Sequence, residues 1–155
     1  MLAAFTESAI ADLMAQTFAL VRACPAGRVT TYSWLGKALG YPRGARMIGW
    51  FMNEAAEGVP AQRVVSSTGE LTGSWAFGAR GSMRQLLEAE GVAVSADNKV
   101  DLKRLGWDPL TELDAASLGQ LLAQATPIGG RPSPRLIHLL RTDRASPLRE
   151  LPYQP

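Results

Sequence analysis

Few residues of this chain could act as a nucleophile or as a general base. Its 155 residues include one cysteine, Cys24, and one histidine, His138. A single cysteine excludes an internal disulfide framework, and this pair is too small a set for a structural zinc site. Two adjacent serines, Ser66 and Ser67, have no histidine or aspartate near them in the sequence. Because an activated nucleophile needs such a partner, the sequence argues against nucleophilic catalysis at these positions.

The basic residues are concentrated in one part of the chain. The formal net charge is only +2, which by itself is weak evidence for a nucleic-acid partner. Between Arg28 and Arg63, however, there are five basic and two acidic residues. Arg28, Lys37 and Arg43 are therefore candidates for contacts with DNA phosphates. Because 46% of the residues are hydrophobic and no apolar run is long enough for a membrane span, we expect a folded, cytoplasmic protein.

The segment that carries these charges has the pattern of a helix-turn-helix. It follows a predicted helix with Thr6 as N-cap, in which the apolar residues have helical spacing: Ile10, Leu13, Met14, Phe18 and Val21. A short extended segment at 29–32 comes next. Two short helices are then predicted over 33–39 and 45–55, with Gly40 as a stop signal and a turn at 41–44. Two short helices across a tight, glycine-containing turn are typical of a helix-turn-helix.

The second of these helices has two different faces. The predicted core face contains Ile48, Phe51, Met52 and Ala55, and the opposite face contains Arg46, Gly49, Trp50 and Asn53. A glycine inside a helix costs about 1 kcal/mol relative to alanine, so Gly49 needs a compensating reason. One reason is close approach to a DNA minor groove, which is only about 6 Å wide. The other is a contact with a second helix, and the sequence leaves both open.

The remaining segments complete a mainly α, winged-helix-like domain. A small β-hairpin is predicted around Thr68–Gly69 as a possible wing, and an amphipathic helix over 82–90. Seven of the ten prolines fall in residues 108–155, which argues against regular core elements there. We therefore divide the chain into a domain at 1–107 and a Pro-rich extension at 108–155, with short helices near 113–122 and 135–140. The extension has zero net charge, so we expect DNA binding without it.

Several motifs occur in the order seen in one protein family. They are Gly27-Arg-Val-Thr-Thr-Tyr32, Gly40-Tyr-Pro-Arg-Gly-Ala-Arg46, Ile48-Gly-Trp50, Glu57-Gly-Val-Pro60, Arg63-Val-Val65, Leu86-Leu-Glu-Ala-Glu-Gly-Val92 and Val100-Asp-Leu-Lys-Arg-Leu-Gly-Trp107. Over residues 5–107 the chain resembles the DNA-binding domain of the O6-alkylguanine-DNA alkyltransferases (methylated-DNA–protein-cysteine methyltransferases). It resembles still more the alkyltransferase-like proteins, which lack the acceptor cysteine.

The resemblance implies roles for particular residues. Arg46 matches the arginine that intercalates in place of the extruded nucleotide, and Tyr32 matches the tyrosine that helps to rotate that nucleotide. The slim helix with Gly49 and Trp50 would enter the minor groove. Met52 and Val64 match residues that line the alkyl pocket, to which Ala61 would also contribute. Trp75 in the following loop either closes the pocket or is an ordinary core residue.

One departure from the family determines the expected chemistry. Alkyltransferases have Pro-Cys-His-Arg-Val where this chain has Pro60-Ala-Gln-Arg-Val64. Ala61 therefore stands in the cysteine position and Gln62 in the histidine position. Alanine has no nucleophile, and an amide is not a useful base near neutral pH. Alkyltransferase-like proteins typically have tryptophan where Ala61 stands, so the pocket would be larger here.

The resemblance and the missing nucleophile together predict a function. We expect a non-enzymatic, monomeric protein without cofactor or metal that binds O6-alkylguanine in duplex DNA, flips the damaged nucleotide and flags it for nucleotide excision repair. It would act in the cytoplasm, associated with the nucleoid, and not at a membrane. The main alternative is a helix-turn-helix regulator without lesion specificity. An enzyme that uses Ser66 or Ser67, and a protein-interaction domain that acts through the extension, are further alternatives.

Overall fold

The computed structural model describes residues 5–55, 58–72, 82–127 and 131–154. Within these ranges the chain forms eight helices, one short 3-10 turn and two small parallel sheets. The helices are α1 (Glu7–Ala23), α2 (Tyr32–Ala38), α3 (Ala45–Met52), α4 (Met83–Ala89), α5 (Leu102–Leu105), α6 (Pro109–Glu112), α7 (Ala115–Gln124) and α8 (Pro134–Thr142). The strands are β1 (Phe5–Thr6), β2 (Thr30–Thr31), β3 (Val64–Val65) and β4 (Tyr153–Gln154), and the 3-10 turn spans Ala61–Arg63.

Local capping signals determine where the longer helices begin. The Thr6 hydroxyl accepts a hydrogen bond from the Ala9 N–H, as the sequence predicted. Thr31 caps α2 through the Trp34 N–H, one residue earlier than expected. Ser82 caps α4 in a reciprocal capping box with Gln85. The helix over 82–90 is thus confirmed, whereas α3 ends at Met52 rather than at Ala55.

The turn between α2 and α3 contains the predicted stop signal. Gly40 has φ +90°, a conformation that favours glycine. Gly36, near the end of α2, is needed for a different reason. A Cβ atom at this position would lie 2.8 Å from the Tyr41 carbonyl oxygen, so only glycine lets the turn fold back this closely. The helix-turn-helix predicted from the sequence is therefore present, with its two helices in direct contact.

Two parallel strands join distant parts of the domain. Thr30 and Thr31 of β2 pair with Val64 and Val65 of β3. On its other side the same segment is extended by Val29, which bridges to Gly106. The chain reverses at Thr68–Gly69 as predicted, and Ser66 N–H donates to the Glu70 carbonyl oxygen. β3, the strand before this turn, pairs with β2 and not with the residues after the turn, unlike in the predicted β-hairpin. Glu70, after the turn, bridges to Lys99 instead.

The buried apolar side chains form two clusters. The larger core cluster lies between α1, α2, α3, α8 and the 58–65 region: Ile10, Leu20, Val21, Leu35, Met47, Ile48, Phe51, Met52, Val59, Val64, Leu136, Leu140 and Leu148. The smaller core cluster lies around α4 and contains Val29, Val65, Met83, Leu87, Val92 and Val100. The sequence did not place Met47 on the predicted core face of α3, but this residue is fully buried as well.

The extension packs against the rest of the chain. Its two apolar stretches form α7, which contacts α1, and α8, which contacts α3. Pro109 and Pro134 are each the first residue of a helix, where the missing N–H would have no intrahelical partner. High proline density is therefore compatible with helices in this region. The boundary at residue 107 stays a prediction, although Leu136, Leu140 and Leu148 lie in the larger core cluster.

Within the described residues, no helix is both long enough and apolar enough to cross a membrane.

The burial of α8 predicts a large effect of truncating its leucines. Leu140 is fully buried, whereas Leu110 of α6 is 48% exposed. Leu140→Ala should lower the free energy of unfolding by about 2–5 kcal/mol, because it leaves a cavity in the core. Leu110→Ala is the control and should change it by at most about 0.5 kcal/mol. Urea denaturation measures both variants, and equal small losses would contradict the docking of α8.

Candidate nucleic-acid interface

The exposed face of α3 contains the residues predicted to meet DNA. Arg46 and Asn53 are exposed, and Gly49 and Trp50 are half-buried. Gly44 is the N-cap of α3, and the turn requires glycine there because a Cβ atom would lie 2.9 Å from the Tyr41 Cβ. A Cβ atom at Gly49 would meet only the Tyr32 ring among the described residues, at 4.0 Å. Packing with these residues therefore does not explain the glycine at 49.

Tyr32 lies beside this face, at the first position of α2. Its side chain is half-buried against the larger core cluster, close to Gly49. Burial raises the pKa of Tyr32, although a hydrogen bond with Thr72 acts in the opposite direction. The phenol is therefore neutral at physiological pH. A neutral hydroxyl can approach a phosphate without charge repulsion, which suits the role that was predicted for Tyr32.

Arg46 has one weak partner. Its guanidinium lies 3.9 Å from the Asp143 carboxylate, and 66% of its side chain is exposed. An ion pair this exposed contributes at most about 1 kcal/mol. The Glu54 carboxylate, just after α3, accepts hydrogen bonds from the Ser133 N–H and hydroxyl. The Arg46 side chain can therefore leave its partner at little cost.

The three candidate phosphate contacts differ in their surroundings. Arg28 donates to the Gly106 carbonyl oxygen and forms a 2.8 Å ion pair with Glu112 of the extension. Lys37 and Arg43 are exposed, and among the described residues no ion pair engages either of them. Lys37 and Arg43 are thus available to a phosphate, whereas Arg28 would first have to exchange Glu112 for it.

The predicted lesion-pocket residues lie close together but are unequally exposed. Val64 is fully buried and Met52 is 6% exposed, both in the larger core cluster. Tyr32 and Ala61 are half-buried and pack against that cluster. Trp75 lies outside the described residues. Met52 and Val64 are therefore core residues, and Tyr32 and Ala61 are the more accessible members of the set.

A half-buried ionic network involves the two residues that follow Ala61. The Arg63 guanidinium forms hydrogen bonds of 2.9–3.1 Å with the Glu90 carboxylate, which also accepts a 2.8 Å bond from the Gln62 amide. Burial acts to raise the pKa of Glu90, but the hydrogen bonds from Arg63 and Gln62 and the Arg63 charge outweigh it and lower this pKa. Gln62 thus donates to a carboxylate and has no base function here.

Sequence reasoning did not identify Glu90 as part of this site. One signal was available: Glu90 is the C-cap of α4, where the helix dipole disfavours a carboxylate. A carboxylate at this position is stabilised by a cationic partner. That partner is Arg63, which follows the Ala61–Gln62 pair directly.

The residues that could act as nucleophiles are not activated. Cys24 is fully buried, and this burial raises the pKa of its thiol to about 12 although Arg63 and Arg28 lie nearby. The Ser66 hydroxyl accepts hydrogen bonds from the Thr68 and Glu70 N–H groups, so it serves the turn. His138 is exposed on α8 in the extension. Within the part of the chain that the structure describes, no cluster of potential ligands could hold a metal ion.

The fold and this face define a class of protein, the helix-turn-helix DNA-binding domains. The family model for the DNA-binding domain of 6-O-methylguanine DNA methyltransferase matches residues 12–92, which is more than half of the chain. The chain therefore belongs to this family.

Similar proteins support the assignment. The chain is 36% identical over 100 residues to a DNA base-flipping protein of Vibrio parahaemolyticus, covering 63% of this chain and 98% of the relative. It is 40% identical over 91 residues to a DNA base-flipping protein of Escherichia coli K12, covering 57% of this chain and 69% of the relative. Among solved structures it resembles S. pombe Atl1 in complex with damaged DNA containing O6-carboxymethylguanine, with 27% identity, a TM-score of 0.56, and coverage of 63% of this chain and 96% of Atl1.

The burial of Cys24 predicts that its thiol is unreactive. With a pKa raised to about 12, the thiol stays protonated throughout the neutral and mildly alkaline range. The folded protein should therefore react with a disulfide reagent far more slowly than the chain unfolded in urea. Absorbance of the released thiolate measures both rates. Rapid, stoichiometric labelling of the folded protein would show instead that Cys24 is an accessible thiolate.

Proposed function

We propose that this protein is a non-enzymatic DNA-damage recognition protein. It binds duplex DNA through the minor groove, rotates an O6-alkylguanine nucleotide out of the base stack and holds it without repairing it. The observation that carries the proposal is the outer face of α3, where Arg46 is exposed beside a glycine that packing with the described residues does not require. Relatives named as DNA base-flipping proteins, and the likeness to Atl1 bound to damaged DNA, support the same function.

Each step of nucleotide flipping has a suitable group on this face. Extruding a base costs a few kcal/mol, and less for a damaged base that pairs poorly. The Arg46 guanidinium is planar and always charged, so it can stack in the gap that the extruded base leaves. Tyr32 would crowd the phosphate of the rotating nucleotide as a neutral phenol, and Lys37 and Arg43 would hold the flanking backbone.

The pocket would bind the flipped base and leave it chemically unchanged. Ala61 has a methyl group where a nucleophile would have to stand, and the Gln62 amide donates to Glu90. Ala61 and Tyr32, half-buried against the cluster that contains Met52 and Val64, would give an apolar wall for an alkyl group. Because alanine is small, this pocket should accept O6-alkyl groups larger than methyl.

The protein would act as a monomer with the nucleoid and signal to nucleotide excision repair. A bound protein that holds an extruded base without acting on it is itself a marker for another repair system. A transcription regulator on the same fold is the alternative, and it would select a sequence rather than a lesion. Fluorescence anisotropy with an O6-methylguanine duplex and the matched undamaged duplex separates the two. Equal affinities for both duplexes would contradict lesion recognition.

The first prediction from this function is that no alkyl group is transferred. Incubation with radiolabelled O6-methylguanine duplex should leave the protein without label, because the Ala61 position has no nucleophile. The double variant Ala61→Cys/Gln62→His is the comparison, since it restores a thiol and a base beside Glu90. Label on this variant alone would support the pocket assignment, whereas stoichiometric label on the wild type would contradict the proposal.

The second prediction distinguishes intercalation from phosphate contact. Arg46→Ala should lose a stacking interaction worth about 1–3 kcal/mol, which is roughly 5- to 150-fold in affinity for the lesion duplex. Lys37→Ala removes one phosphate contact, so its smaller loss should shrink as salt is added. Titrations at two salt concentrations measure both variants. If both variants lose the same affinity and both losses shrink with added salt, Arg46 makes only an electrostatic contact.

A further inference from the structure

The zero net charge of the extension conceals two oppositely charged halves. Residues 108–127 contain three acidic residues and no lysine or arginine. Residues 131–150 contain five arginines, two acidic residues and His138. The expectation that DNA binding does not need the extension was based on the net charge of the two halves taken together. Because the two halves are separate along the chain, what each half can bind depends on its position in the fold and not on the net charge of the extension.

The basic half lies directly beside α3. The Glu54 carboxylate, just after α3, accepts hydrogen bonds of 3.0 Å and 2.6 Å from the N–H and hydroxyl of Ser133, the N-cap of α8. At the other end, Arg46 of α3 faces Asp143, the C-cap of α8, at 3.9 Å. The two helices are therefore antiparallel and in contact at both ends. Any duplex that α3 enters passes within reach of α8.

The helical period places the arginines of α8 away from the core. Leu136 and Leu140 are buried, whereas Arg135, His138 and Arg141 have the i, i+3, i+6 spacing of the opposite, exposed face. On the side towards α3, Arg135 lines a cleft together with Trp50, Asn53 and Glu54, whose carboxylate already accepts hydrogen bonds from Ser133. The basic face of α8 thus adjoins the face of α3 that is proposed to enter the minor groove.

Two arginines of this region are available for a new contact. Arg135 and Arg144 are exposed, and among the described residues neither of them forms an ion pair. Arg141 lines a second cleft together with Glu7. Arg135 and Arg144, which lie near opposite ends of α8, are therefore the two candidate contacts.

We propose that Arg135 and Arg144 form a second phosphate-binding strip, which contacts the DNA backbone next to the nucleotide that α3 flips. This inference rests on the proposed function, because it places the duplex on α3. Guanidinium groups are the side chains best suited to phosphate oxygens, and α8 is held in place by two buried leucines and the Glu54–Ser133 bonds. The strip binds backbone and not bases, so it adds affinity without adding lesion selectivity.

The salt dependence of binding tests the strip. The double variant Arg135→Gln/Arg144→Gln should reduce the slope of log affinity against log salt by about 1.8, since each phosphate contact contributes about 0.9. This variant should weaken binding to the damaged and to the undamaged duplex by the same factor. The matched control Arg22→Gln/Arg104→Gln removes the same charge from exposed positions on α1 and α5 and should leave the slope unchanged. Arg135→Lys/Arg144→Lys keeps the charge and should retain the wild-type slope.

The outcomes separate this inference from the proposed function. Melting temperatures first establish that each variant is folded. Equal slopes for the Arg135/Arg144 variant and its control would overturn the strip, even if the wild type prefers the lesion; the basic face would then serve an acidic protein instead. A reduced slope in a protein without lesion preference would support the strip and contradict lesion recognition. A loss confined to the damaged duplex would also overturn the strip, because backbone contacts do not distinguish the two.

Discussion

The segment Val29–Thr31 must satisfy its backbone hydrogen bonds inside the protein, because all three residues are buried. On one side Val29 N–H donates to the Leu105 carbonyl oxygen and its own carbonyl accepts from the Trp107 N–H. On the other side Thr30 and Thr31 pair with Val64 and Val65. This requirement joins two distant segments of the domain: Tyr32 follows directly after β2, and the 3-10 turn with Ala61 precedes β3.

Two sets of contacts hold helix α3 in place. Its inner face is buried in the larger core cluster, and α8 lies along its side, joined through Glu54 and Ser133. The outer face carries the exposed Arg46 near Gly49, and among the described residues Arg46 forms its ion pair with Asp143, at 3.9 Å. A packed helix with one exposed cationic side chain is suited to enter a narrow groove without rearranging its backbone. The extension is thus part of the support of the site, although it lies outside the matched family region.

Local signals in the sequence predicted much of the fold, and non-local contacts account for what they missed. Caps and stops such as Thr6, Ser82 and Gly40 act within a few residues, so they could be identified from the chain alone. The pairing of β2 with β3, and the bonds of Glu90 with Arg63, join positions tens of residues apart and have no local pattern. The site residues came from motif resemblance rather than periodicity. The structure adds that Tyr32 lies next to Gly49, and it shows why proline density misleads when a proline begins a helix.

The parallel pairing of β1 with β4 has a consequence for how the chain folds. Phe5 pairs with Tyr153 and Thr6 with Gln154, so the strand that precedes α1 has its partner near the far end of the sequence. During synthesis, the ribosome releases the helix-turn-helix long before residues 153–154 exist. Contacts of such large sequence separation form late and slow the completion of folding. The domain can acquire its local helices early, and the pairing of β1 with β4 completes the fold later.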